Sequence, residues 1–167
     1  MYFLLTLLIT GLALQVTYLV LFLFAFHRSR VHHIPDRLPG VSLIIAAHDE
    51  EENLRELIPL LMEQNHPDFE VIVVEDRCND GTYDFLLEAT RQYKGLKMVR
   101  VVFKPDHIHG KKYALTLGIK AARHEWILLT DADCRPATRE WMSCMGSYMA
   151  DQTQIVIGCS PYLTQPG

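Results

Sequence analysis

Apolar residues fill almost all of the first 26 positions of the chain, and none of these positions carries a charged side chain. The strongly polar side chains in this stretch are Thr6, Thr10, Gln15 and Thr17. A helix needs about 20 apolar residues to cross the hydrocarbon core of a bilayer. The pattern therefore predicts a transmembrane helix over residues 1–26.

Two other interpretations of this segment are a signal peptide and a buried core helix. A signal peptide would begin with basic residues and end in small ones, whereas Phe24-Ala25-Phe26-His27 is bulky. A core helix so long and uncharged would be unusual in so small a domain. Basic residues follow the segment at Arg28, Arg30 and Arg37, and none precedes it. By the positive-inside rule, the rest of the chain is expected in the cytoplasm, at the inner or plasma membrane.

Residues 27–40 include Pro35, Pro39 and Gly40 without periodicity, which predicts a linker. Short β-branched runs then alternate with stretches of helical spacing, which is typical of βαβ units and a mostly parallel sheet. We therefore expect one α/β domain over residues 41–167. The predicted strands are 41–47, 71–74, 98–103, 126–130 and 155–157. The predicted helices follow Asp49, follow the turn 77–82, and cover 111–123 and about 139–149.

The first of these helices has two local signals. Asp49 and Glu52 are spaced as a capping box, which predicts Asp49 as the N-cap. Helical spacing also predicts a buried stripe, with Pro59 inside the helix as a kink or weak point. The stripe consists of Leu54, Leu57, Ile58 and Leu61.

Acidic residues follow three of the predicted strands, as His48-Asp49-Glu50, Glu75-Asp76 and Asp131-Ala132-Asp133. Each group alone is more simply explained as a solvated turn, because Asp is a common turn residue. In open α/β sheets, however, ligands bind outside the carboxyl ends of the strands. Right-handed crossovers would bring these three ends to one edge. A divalent metal or a basic ligand would relieve the resulting repulsion.

Charge and cysteine content narrow the class of protein. The 16 Lys and Arg and 20 Asp and Glu give a net charge of −4, which argues against nucleic acid as a partner. Cys78, Cys134, Cys144 and Cys159 form no Cys-x-x-Cys pair, so neither a zinc site nor a disulfide framework is indicated.

Four motifs together resemble family 2 glycosyltransferases. They are Val41–Leu54 (strand and helix start), Val73–Thr82 (second strand and turn), Gly110–Ile119 (helix start) and Asp131-Ala132-Asp133. The resemblance implies a GT-A fold, whose Rossmann-like sheet binds a nucleotide-diphosphate sugar with Mg²⁺ or Mn²⁺. It also implies inversion at the anomeric carbon.

Carried over by position, the resemblance implies roles for seven residues. Those expected to bind substrate are Ala46, His48, Glu50, Asp76, Lys111 and Asp131. Ala46 and His48 would line the nucleotide pocket, Asp76 would accept the N3–H of a uracil-type base, and Lys111 would lie near the diphosphate. Asp131 would face the ribose or the metal, and Asp133 would hold the metal.

The chain departs from the family pattern at several of these motifs. Ala46 stands where Pro or Thr is usual, Asp49 where Asn is usual and Glu75 where Asp is usual. Arg77-Cys78 replaces a Gly-Ser type of turn, and Thr116 replaces a common Asn. None of these departures removes an expected metal ligand.

The expected function is a membrane-anchored, metal-dependent transfer of sugar from a nucleotide-diphosphate donor, with UDP favoured, to a glycan or lipid acceptor. Family members carry the catalytic base after the Asp-x-Asp half, and the chain reads as interrupted at Gly167, so the base is expected beyond it. The alternative is a catalytically silent nucleotide-sugar-binding module or a fragment lacking the acceptor half. A nucleotidyltransferase is a weaker third option, because His48–Glu52 lacks the Gly-rich basic loop of that class.

Overall fold

A computed structural model describes residues 2–27, 34–35, 37–149, 152–158 and 160 of the chain. The chain divides into two units, residues 1–33 and residues 34–167. The two units are described separately below.

The first unit contains one helix, α1 (Tyr2–His27). Its segment Tyr2–Phe24 has a mean hydropathy of 2.2 and no buried residues. The hydroxyl groups of Thr6, Thr10 and Thr17 donate to backbone carbonyls one turn earlier, at 2.8–3.0 Å. By length and composition this helix could cross a membrane. A signal sequence near an N-terminus would meet the same criteria.

The second unit is built on a four-stranded parallel sheet in the order β3-β2-β1-β4. This arrangement confirms the predicted α/β class. The strands are β1 (Val41–Ala47), β2 (Phe69–Asp76), β3 (Leu96–Val101) and β4 (Trp126–Leu129). The helices are α2 (Glu51–Met62), α3 (Thr82–Gln92), α4 (Gly110–Ala121) and α5 (Trp141–Gly146).

Helices cover both faces of the sheet, which is why β1 and β2 are apolar along almost their whole length. On one face, the predicted stripe of α2 packs with α3, α5 and the odd-numbered side chains of β1. On the other face, α4 packs against Ile44, Ile72 and Val74. Helix α4 approaches the sheet closely at Gly118, where a Cβ atom would lie only 2.5 Å from Cγ2 of Ile44. Side chains alternating between two covered faces thus form two apolar layers.

Some predicted boundaries were wrong. Residues 155–157 form no strand, and Ile155 and Ile157 are 79% and 89% exposed. Without a neighbouring strand or a covering layer, a short apolar run gains nothing from extended pairing. The last helix is also shorter than predicted, ending at Gly146.

The predicted capping box at Asp49 is also wrong. Glu50 occupies the N-cap position, and no side chain caps α2 there. Asp49 instead has a positive φ of 57°, and its Oδ1 accepts a hydrogen bond from the backbone N–H of Asn79 at 2.6 Å. A contact between the loops after β1 and β2 therefore outweighs the local capping preference.

Candidate functional site

A cleft of about 440 Å³ opens at the carboxyl ends of β1, β2 and β4. It exists because β1 lies between β2 and β4 and all three strands run in the same direction. All seven residues singled out from the sequence line it: Ala46, His48, Glu50, Asp76, Lys111, Asp131 and Asp133. The cleft is also lined by Ala47, Arg77, Gly110 and Ala132, which were not singled out.

The end of β2 forms one wall of the cleft. Asp76 is nearly buried, and its Oδ1 accepts a hydrogen bond from Nε of Arg77 at 2.8 Å. This bond raises the pKa of the Arg77 guanidinium, which stays charged. His48 has Nδ1 2.6 Å from the backbone oxygen of Asp76, so Nδ1 carries the proton and donates it. The imidazole is thereby held at the rim, where its Nε2 lies 3.9 Å from Oδ2 of Asp49.

The opposite wall carries Lys111 and Asp131. Nζ of Lys111 lies 2.7 Å from Oδ1 of Asp131, and both side chains are more than half exposed. The hydrogen bond that Lys111 donates to Asp131 raises the pKa of Lys111, and the nearby charge of Asp133 adds to the effect. An exposed ion pair of this kind is weak, because water competes for both charges. An anionic ligand could therefore take Lys111 away from Asp131.

Helix α4 begins at the cleft, with Gly110 and Lys111 in its first turn. A Cβ at Gly110 would lie 2.8 Å from Oδ2 of Asp76, so any other residue there would have to displace the Asp76 carboxylate. No side chain caps the helix at His109. Uncapped N–H groups at a helix start attract anions, and a phosphate group fits that chemistry.

A second group of possible metal ligands, Asp49, Cys78 and Asp80, lies in the adjoining loops, with ligand atoms within 4.8 Å of one another. Both carboxylates already accept backbone hydrogen bonds, Asp80 from Glu51 and Thr82. Burial raises the pKa of the Cys78 thiol, which disfavours the thiolate that binds metals. The two carboxylates are therefore better explained by the hydrogen bonds that join the two loops.

Asp131 and Asp133 offer exposed carboxylates on the cleft side of β4. Carboxylate oxygens suit hard divalent cations such as Mg²⁺ and Mn²⁺, which keep positions open for phosphate oxygens and water. The residues present therefore fit the expected cofactor.

Known proteins are similar to this chain in sequence. The probable glycosyltransferase YdaM of Bacillus subtilis strain 168 is 35% identical over 101 residues, covering 59% of this chain and 24% of YdaM. The beta-monoglucosyldiacylglycerol synthase of Nostoc sp. strain PCC 7120 is 31% identical over 117 residues, covering 69% of this chain and 25% of the synthase. This chain thus spans about a quarter of the length of these relatives.

Among solved structures, the mannosyltransferase PcManGT from Pyrobaculum calidifontis, in complex with GDP-Man and Mn²⁺, superposes with a TM-score of 0.65. It is 26% identical, and the match covers 71% of this chain and 34% of PcManGT. Residues 42–165 match the model of glycosyl transferase family 2. That match takes in the cleft, every site residue and all of the sheet except Val41, and the chain belongs to this family.

Proposed function

We propose that the chain is the donor-binding part of a membrane-anchored glycosyltransferase that uses a nucleotide-diphosphate sugar and a divalent metal. The observation that carries this proposal is the convergence of three acidic strand ends, a lysine and an uncapped helix start in one cleft. Solvated turns would explain each acidic group alone but not this meeting of opposite charges. The bound nucleotide sugar and Mn²⁺ of PcManGT agree with this assignment.

In the proposed complex, the base lies between Ala46, His48 and Asp76. The carboxylate of Asp76 has an oxygen left over after its bond to Arg77, and this oxygen would accept the N3–H of a uracil-type base. UDP is therefore the expected nucleotide, and Glu50 completes the substrate-binding set at the same rim.

The diphosphate would lie between the start of α4 and the metal ligands. Lys111 would exchange its weak bond with Asp131 for a phosphate oxygen, because a dianionic group offers it more negative charge. Asp131 and Asp133 would then share Mg²⁺ or Mn²⁺. A bound divalent ion stabilises the negative charge that develops on the leaving diphosphate.

The proposed reaction is an inverting transfer to a glycan or lipid acceptor at the cytoplasmic face of the membrane. The transition state would have oxocarbenium character, with negative charge developing on the leaving diphosphate. The residues of this cleft would stabilise that negative charge. Lys111 and the α4 amides would contribute by holding the diphosphate still.

UDP binding tests this proposal. Calorimetry with UDP should give measurable affinity in Mn²⁺ or Mg²⁺ and a much weaker one in EDTA. Asp133→Ala should abolish the metal-dependent gain, a loss of at least ~10-fold, because removing a ligand should cost no less than removing a supporting residue. Asp84→Ala is the matched control, since Asp84 is exposed on α3 and outside the cleft. Equal UDP affinity in Mn²⁺ and EDTA would refute the proposal.

A further inference from the structure

The turn Asp131-Ala132-Asp133 has little backbone support. It follows β4, which has four residues and pairs with β1 alone among the described strands. The last contact to the sheet is the N–H of Thr130, which donates to the carbonyl of Ile44 at 3.3 Å. Within the turn, the N–H of Cys134 donates to the carbonyl of Asp131 at 3.2 Å. These two long bonds alone would leave the direction of the Asp133 carboxylate loosely defined.

Arg135 supplies the missing support. Its Nη1 donates to the carbonyls of Ala132 and Cys134, both at 3.0 Å. These carbonyls belong to the residues on either side of Asp133. One nitrogen therefore holds the peptide group that precedes Asp133 and the peptide group that follows Cys134. Only 20% of the Arg135 side chain is exposed, which removes much of the competition from water.

The other nitrogen of the guanidinium joins the turn to α2. Nη2 of Arg135 donates to Oδ1 of Asn53 at 3.1 Å and to Oε2 of Glu56 at 2.9 Å. Glu56 is 74% exposed, so this ion pair contributes little. Asn53 in turn donates from Nδ2 to Oε2 of Glu50, a cleft residue, at 2.6 Å. A continuous hydrogen-bonded path therefore runs from the cleft rim through α2 to the turn.

We propose that Arg135 is a positioning residue that orients Asp133, and with it the metal site, by holding the backbone carbonyls of its two neighbours, Ala132 and Cys134. The proposal rests on the function proposed above, in which Asp133 holds the metal. The planar guanidinium reaches four acceptors in two directions. A lysine ammonium could replace the charge but not this geometry.

The test measures UDP affinity in Mn²⁺ and in EDTA for Arg135→Met and Arg135→Lys. Both variants should lose metal-dependent affinity, by ~10-fold for Met and less for Lys, the range typical of residues that support metal ligands. Affinity in EDTA should stay at the wild-type value, and higher Mn²⁺ should restore binding. Arg139→Met is the matched control, because Arg139 is an exposed arginine that pairs with Glu63, the C-cap residue of α2, at 2.6 Å and does not touch the turn.

The outcomes separate the two proposals. A wild-type UDP affinity that is the same in Mn²⁺ and in EDTA would refute the proposed function itself. Metal-dependent wild-type binding that Arg135→Lys and Arg135→Met both retain would overturn the role of Arg135 alone. An equal loss in Mn²⁺ and in EDTA would show a general structural role and would also overturn it. If Arg135→Met fails to fold, the Lys variant decides, since full metal dependence there contradicts the need for a guanidinium.

Discussion

At the scale of single residues, two uncommon backbone conformations occur in the loops beside the cleft. Asp49 and Arg77 have φ values of 57° and 55°, in the left-handed region, just after β1 and β2. Aspartate tolerates this region, whereas a long side chain such as arginine rarely adopts it. The loop holds Arg77 there, because buried Glu75 accepts the N–H of Cys78 at 2.6 Å and Asp76 binds the guanidinium. Such strain is often found at functional sites.

Substitutions at Arg77 should separate backbone strain from side-chain contacts. Arg77→Gly should melt near the wild-type temperature, because relief of the positive φ offsets the entropy that glycine adds to the unfolded chain. Arg77→Val should melt at least roughly 2–4 °C lower, since a β-branched residue is strained at this φ. Thermal melts in detergent, followed by circular dichroism, would measure both variants. Both lose the guanidinium, so equal melting temperatures would contradict the strain argument.

At the scale of secondary-structure elements, a buried carboxylate joins the amino-terminal ends of the strands, opposite the cleft. Glu70 in β2 accepts hydrogen bonds from Oγ of Ser42 in β1 at 2.6 Å and from the N–H of Arg123 at 2.7 Å. It also lies 2.7 Å from Nζ of Lys97 in β3. Burial alone would raise the pKa of Glu70, but these three bonds outweigh it and lower the pKa.

This lowered pKa makes stability depend on pH. A carboxylate with a lower pKa in the folded state stabilises the fold above its unfolded pKa of about 4.5, and the effect is lost as pH falls through the folded value. Glu70→Gln should therefore cost about 1–3 kcal/mol in the free energy of unfolding at pH 7. The difference from wild type should shrink below about pH 4.5. Urea denaturation at several pH values would measure this difference, with Glu88→Gln, exposed on α3, as the control.

The elements that the sequence predicts best are those whose patterns serve the core. The bounds of β1 are confirmed residue for residue, and so is the buried stripe of α2, because alternating coverage and helical spacing leave few other solutions. The errors lie where distant contacts decide. Asp49 bonds across to Asn79 instead of capping α2, and Ile155–Ile157 lacks a strand partner. Neither outcome is encoded in the neighbouring residues.

The site was predictable as far as strand ends reveal it. Topology brings the carboxylates at Asp76, Asp131 and Asp133 together, and this follows from the order of strands and helices. Arg77 and Arg135 were not singled out. Arg77 lines the cleft and has an uncommon backbone conformation, and Arg135 contacts a helix about 80 residues earlier in the chain. Such contacts follow from the assembled fold and leave no local pattern.

At the scale of the whole molecule, the charged side chains are unevenly distributed along the chain. The helix α1 has no charged side chain, and every charged side chain of the chain follows it. We propose that α1 anchors the second unit at the cytoplasmic face. Protease added to intact cells or right-side-out vesicles should then leave residues 37 onward intact, and detergent should make them cleavable. Digestion without detergent would contradict this orientation.

The strand order also influences the order in which the strands can pair during folding. The pairings of β2 with β1 and with β3 close comparatively short loops, whereas Val41 meets Trp126 of β4 about three times as far along the chain as it meets Phe69. Longer closures cost more chain entropy and form more slowly. Three strands could therefore assemble before the fourth arrives. Because both proposed metal ligands lie in the turn that follows β4, a refolding chain would gain most of its sheet before it gained a metal site. Metal-dependent nucleotide binding would then report the last step of folding.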